Sequence, residues 1–174
     1  GSYAYLAIAG GIDVPQVLGS RSTDLRAKFG GHHGRRLQNG DHLEISEALC
    51  GPRLANWHIR WPYDHAQGRT LPLRYIRGMQ SDWFSPSSLE SFANFEFRIS
   101  SKSDRVGMRL DGPKISRVTN EEMVSQAVVR GSIQVPPDGT PIVLMAECQT
   151  IGGYPQIGHV ISADLPKLAR VGTG

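Results

Sequence analysis

The residues best suited to chemistry stand at the ends of expected strands. Ser103-Asp104-Arg105 precedes one that carries Gly107 and Arg109. A carboxylate beside a guanidinium holds a planar substrate group through paired hydrogen bonds. The same two residues can equally close a turn as a structural pair. Glu147-Cys148-Gln149-Thr150-Ile151-Gly152-Gly153-Tyr154-Pro155 follows the most apolar stretch of the chain. Its two glycines let backbone approach a ligand closely. Gln149 offers both a donor and an acceptor to an amide or urea-like group, and Tyr154 adds a hydroxyl. A tight glycine turn between central strands accounts for the same residues equally well. Cys148 has no histidine near it in sequence and reads as a buried, inert thiol rather than a nucleophile.

Other chemistries lack their motifs. The chain has no Walker loop, no nucleophile elbow, no His-Glu-x-x-His and no Cys-x-x-Cys. Gly30-Gly31-His32-His33-Gly34 is too short for a dinucleotide loop. The six histidines are scattered, and the adjacent His32 and His33 would point apart on a strand, so no metal set is expected. Cys50 and Cys148 are the only cysteines, too far apart in sequence to form a zinc site or a disulfide framework. They read as free thiols of a cytoplasmic protein.

The 19 basic and 16 acidic residues leave a net charge of +3. Such a mild excess does not imply nucleic acid. Its densest patch, His32-His33-Gly34-Arg35-Arg36, reads as a solvated loop. No apolar run is long enough for a membrane span, and the first residues do not resemble a secretory signal.

The elements that must position these groups are short. Twenty glycines and eleven prolines in 174 residues argue against long helices. Strands are expected over Tyr3 to Ala9, Leu73 to Arg77, Phe95 to Ile99, Val106 to Leu110, Ser132 to Val135, Ile142 to Ala146 and Gln156 to Ile161. Asn39-Gly40 marks a hairpin within Arg36 to Ile45. Ser85-Pro86 opens a helix, with Ser85 as N-cap and Pro86 at the first helical position. Asp164 opens another through Ala169. Single helical turns are expected over Asp24 to Lys28 and Asn120 to Ser125. Pro136-Pro137-Asp138-Gly139-Thr140-Pro141 is a turn. Residues 1–50 form a strand-and-hairpin segment that could complete a neighbouring subdomain. Residues 51–70 form a connection, with an edge strand near Trp57 to Arg60, and 71–174 the main β portion. Many short strands with two or three short helices predict a mainly β barrel or sandwich.

Four blocks together resemble one family. They are Ala7-Ile8-Ala9-Gly10-Gly11-Ile12-Asp13-Val14-Pro15 with Leu18-Gly19-Ser20-Arg21-Ser22-Thr23-Asp24-Leu25; Ser103-Asp104-Arg105-Val106-Gly107-Met108-Arg109-Leu110; Gly131-Ser132-Ile133-Gln134-Val135-Pro136-Pro137-Asp138-Gly139-Thr140-Pro141-Ile142-Val143-Leu144-Met145; and Gln149-Thr150-Ile151-Gly152-Gly153-Tyr154-Pro155 with Ile161-Ser162-Ala163-Asp164-Leu165. This is similar to the KipA family, which includes the C subunit of 5-oxoprolinase, allophanate-hydrolase-subunit-2-like proteins and part of the carboxyltransferase domain of urea carboxylase. Two stretches depart from the family pattern: Glu147-Cys148, and Gly78-Met79-Gln80-Ser81-Asp82-Trp83-Phe84. Family members are also longer at both ends, so the chain looks like an internal fragment.

The resemblance implies a cyclophilin-like β-barrel. It implies one component of a 5-oxoprolinase-type complex, which opens 5-oxoproline to glutamate with ATP, working with a KipI-like B component and with the A component of 5-oxoprolinase. Two alternatives accompany it: a regulatory KipI-binding protein without catalysis, and a carboxyltransferase component that receives biotin in trans. A prolyl isomerase site needs an arginine with aromatic neighbours that cannot be placed here. Both family substrates present a planar N–C=O group. Asp104, Arg105 and Gln149 are therefore expected to be catalytic, and Gln134, Tyr154 and Arg109 to bind substrate. ATP would enter through the complex, since no nucleotide motif is present.

Overall fold

The computed structural model describes residues 5–47 and 70–171. The expected connection at 51–70, its edge strand near Trp57 and Cys50 fall almost wholly outside them. The chain divides into two compact units, one over 4–60 and the other from 61 onward.

The first unit is built of loops. Strands β1 (Thr23–Asp24) and β2 (Phe29–Gly30) form a two-stranded ladder. The helical turn expected over Asp24 to Lys28 is instead the reversal between them. Asp24 Oδ1 accepts from the backbone N–H of Arg26 and Ala27, both at 2.9 Å, and Lys28 turns the chain with φ 56°. The strand expected over Tyr3 to Ala9 does not form in its described part, Tyr5 to Ala9. Tyr5 and Leu6 are exposed, and a strand needs a ladder partner that this segment lacks among the described residues. The Asn39-Gly40 turn is present, closed by Asp41 N–H to the Gln38 carbonyl, with Gly40 at φ 92°. Its flanks do not pair as a hairpin. Arg35 grips Asp41 across the turn, and Ile45 bridges to Ile12 instead.

The second unit holds the core. Its six-stranded sheet comprises β3 (Tyr75–Arg77), β4 (Arg98–Ile99), β5 (Gly107–Asp111), β7 (Ser132–Gln134), β8 (Ile142–Leu144) and β10 (Gln156–Val160). All pairings are antiparallel, in the order β3-β10-β7-β8-β5-β4. Met108, Val143 and Ile133 lie opposite one another across β5, β8 and β7 and are buried. With Leu110, Val135, Ile157, Val160 and Phe84 they make one apolar cluster, each burial contributing about 1.5–3 kcal/mol.

Two helices pack against this cluster. Helix α1 (Pro86–Asn94) begins as expected: the Ser85 hydroxyl accepts from Ser88 N–H at 3.1 Å, and Leu89 and Phe92 face the core. Helix α2 (Leu165–Leu168) follows Asp164 and buries Leu165 and Leu168. Asp164 joins β3 to α2: its carboxylate accepts from Arg74 N–H (2.8 Å), Arg74 Nη2 (2.9 Å) and Lys167 Nζ (2.8 Å).

The helical turn expected over Asn120 to Ser125 does not form. Thr119 Oγ1 takes the Glu121 N–H, and Val124 is 86% exposed, so no apolar face rewards coiling. The segment runs instead into β6 (Gln126–Ala127), which pairs with β9 (Ile151–Gly152). The sequence reading missed this ladder.

Candidate functional site

Two groups of polar side chains emerge from the sheet. The first is a rim where β5 begins and β8 ends. The Glu147 N–H donates to the Arg105 carbonyl at 2.9 Å, so the chain leaving β8 runs beside the chain entering β5. This brings Arg105 Nε within 2.8 Å of Glu147 Oε1, with the two side chains 62% and 55% exposed. The expected partner was Asp104. Asp104 Oδ1 instead accepts from the N–H of Val106 (2.9 Å) and Gly107 (3.1 Å), shaping the entry to β5. Ser103 Oγ accepts from Arg109 N–H at 3.0 Å and holds the same turn. Cys148 is half-buried, and Gln149 is exposed one residue further on. The rim thus offers a guanidinium, two carboxylates and an amide on an open surface. Such a set can donate to a carbonyl oxygen and accept from an amide nitrogen.

The second group is covered. Arg109, Ile142, Gln134 and Gln156 form one rung across β5, β8, β7 and β10. The β6–β9 ladder lies over part of that rung: a Cβ at Gly152 would stand 2.6 Å from Gln134 Nε2 and 3.2 Å from Val128 Cγ1. Gln134 is 2% exposed and donates Nε2–H to the Tyr154 carbonyl at 3.1 Å. Gln80 joins from the segment before α1: its Oε1 accepts from Gln126 Nε2 (3.1 Å) and Gln156 N–H (3.2 Å).

The six residues singled out in the sequence therefore divide. Asp104 and Arg105 share the rim, with Gln149 close in sequence to Glu147. Gln134 and Tyr154 meet through a backbone carbonyl, with the Tyr154 side chain 45% exposed. Arg109 is on the Gln134 rung but open to solvent. The Thr140 N–H holds the Asp138 carboxyl below its usual range, with smaller help from the charges of Lys114 and Arg109. Glu147 and Gln80 were not picked as site residues. Both lie in the two stretches that depart from the family pattern, and that was the available signal. No group of three or more metal-ligating side chains occurs among the described residues.

The second unit is mainly β, with a polar rim where β5 begins and β8 ends. The chain belongs to the carboxyltransferase domain family: the carboxyltransferase domain, subdomain A and B, matches residues 1–174. It is 39% identical to the C subunit of 5-oxoprolinase from Escherichia coli and 43% identical to that from Haemophilus influenzae, each over 100% of this chain and 54% of the relative. The chain thus spans about half the length of the curated relatives it matches. The crystal structure of the Kluyveromyces lactis urea carboxylase shares its fold, with a TM-score of 0.71 and 27% identity over 97% of this chain and 16% of that one.

Proposed function

We propose that this chain is the carboxyltransferase-domain part of a 5-oxoprolinase C subunit, acting in the ATP-dependent opening of 5-oxoproline to glutamate. The observation that carries this is the 39–43% identity to two such proteins along its whole length, against 30% to a urea amidolyase. A KipI-like B component and an A component complete the complex in this reading. A cytoplasmic location goes with it; among the described residues no helix is long and apolar enough to cross a membrane.

Ring opening adds the oxygen of water to the lactam carbonyl carbon, breaks the C–N bond and delivers a proton to the nitrogen. The rim suits the two ends of that amide. Arg105 donates toward the carbonyl oxygen, where negative charge develops. Asp104 and Gln149 orient the N–H, and Glu147 keeps the guanidinium in place. Tyr154 and Arg109 line the approach, and Gln134 supports the Tyr154 backbone from beneath. ATP, when bound to the complex, supplies the free energy that drives the lactam open. The start of α1 does not cradle its phosphates: Pro86 has no N–H and Ser85 takes that of Ser88. The ATP that drives ring opening enters through the complex in this proposal.

The test mixes the full-length protein carrying this chain with the A and B components and follows glutamate release from 5-oxoproline with ATP. Release that needs every component, and that falls in Asp104→Ala and Gln149→Ala, supports the reading. Full activity in both variants sinks the site assignment. A stable complex without release favours the regulatory role. The likeness to urea carboxylase favours a second reading, carboxyl transfer from carboxybiotin carried on another domain. Carboxylation of urea by the assembled complex would select it.

A further inference from the structure

The loop-built unit contains a recess with unusual charge. It has a volume of about 380 Å³ and is lined by Leu25, Lys28, His33, Gly34, Arg35 and Arg36. Four of these six residues are basic or can become so, and none is acidic. The nearby carboxylates are already committed. Asp24 Oδ1 accepts from two backbone N–H groups of its own turn. Asp41 accepts from Arg35 Nη1 (2.8 Å) and Nη2 (2.7 Å) and from Gln38 N–H (2.7 Å). Arg35 is therefore a neutralised, fixed wall. Lys28 and Arg36 have no acidic partner among the described residues.

The backbone around the recess is held in a costly shape. Only three non-glycine residues among those described have positive φ, and two of them line it: Lys28 at 56° and His33 at 54°. Each such residue costs on the order of 1 kcal/mol, and such strain gathers at ligand clamps. The two turns press together at Gly34, whose N–H donates to the Gly30 carbonyl. A Cβ there would lie 2.2 Å from the Lys28 carbonyl oxygen. Lys28 and His33 are thus set by main chain rather than by flexible side-chain choice.

We propose that this recess binds a small phosphate-bearing anion. An ammonium, a guanidinium and an imidazole on three residues suit a tetrahedral group with three acceptor oxygens. A planar carboxylate matches a single guanidinium fork, the role Asp41 already fills for Arg35. The volume exceeds that of phosphate alone, and Leu25 adds an apolar wall, so a phosphate ester fits as well as the free ion. The site is independent of the lactam reading, because it uses none of the rim residues.

Calorimetric titration of the full chain at low salt, with inorganic phosphate as probe, tests this directly. Saturable one-to-one binding is expected, weakened about tenfold or more in Lys28→Asn/Arg36→Gln; asparagine tolerates the left-handed backbone. Arg36→Gln alone is the second variant, with circular dichroism to confirm folding. Arg98→Gln/Lys102→Gln removes the same charge elsewhere and should leave binding unchanged. Tighter binding of adenosine monophosphate supports an ester ligand, and weaker binding the free ion. The proposal is overturned by absent saturation, by equal affinity in the recess variants, by an equal loss in the control, or by acetate binding as tightly as phosphate.

Discussion

The open rim at Asp104, Arg105, Glu147 and Gln149 and the covered rung at Gln134 and Gln156 use similar polar residues to opposite ends. On the rim the Arg105–Glu147 pair is more than half exposed, and solvent screens it. Under the β6–β9 ladder, Gln134 is sealed and donates to main chain. A buried polar group must be satisfied by the protein itself and so contributes to stability. An exposed one contributes little to stability and stays available to a ligand. Accessibility, rather than residue type, separates support from candidate chemistry.

The contrast can be broken by mutation, and the largest loss of stability is expected at the most committed interior group. Asp164 holds Arg74 and Lys167, which keep its carboxyl well below the usual carboxylate range. A carboxyl whose pKa is depressed by folding stabilises the fold above its unfolded value of about 4 and loses that contribution as pH falls through the folded value. Thermal melts should therefore show a fall in Tm below about pH 4, and Asp164→Asn should flatten that slope while lowering Tm at neutral pH.

Gln134→Ala should follow, costing about 2–4 kcal/mol in denaturant titration, because it opens a cavity and orphans the Tyr154 carbonyl. Gly152→Ala should cost about 1–3 kcal/mol, since the new methyl meets Gln134 Nε2 and Val128. Gln80→Ala removes an acceptor shared by Gln126 and the Gln156 main chain and should cost about 1–2 kcal/mol. Arg105→Gln closes the series, with a change below about 0.5 kcal/mol in stability but loss of turnover in the assembled complex. If Arg105→Gln proved as destabilising as Gln134→Ala, the rim would be support and the contrast would collapse.

How well the elements were legible depended on how local their causes are. The start of α1 was readable from Ser85-Pro86, because a cap and a proline act within one turn. Strands β5, β7, β8 and β10 were readable from their apolar residues, although β7, β8 and β10 are shorter than expected and β5 is shifted by one residue. The hairpin at 36–45 failed because Arg35 and Asp41 clamp the turn and no ladder follows. The β6–β9 ladder was missed because a two-residue strand has no periodicity to detect. On the rim, the sequence singles out Asp104 and Arg105 but not the contact of Arg105 with Glu147. That pairing depends on β8 ending beside the start of β5, a contact across about forty residues of chain.

The sequence by itself determined the mainly β class, the caps and turns, and family membership, because these rest on local sterics and on motifs in fixed order. Only the tertiary structure decided which polar residues are sealed and which are open. Gln134 and Gln149 are the same residue type, and each sits within a family block. What separates them is that β6 and β9 fold over the first and leave the second in water, and exposure to water is set by what packs above a residue.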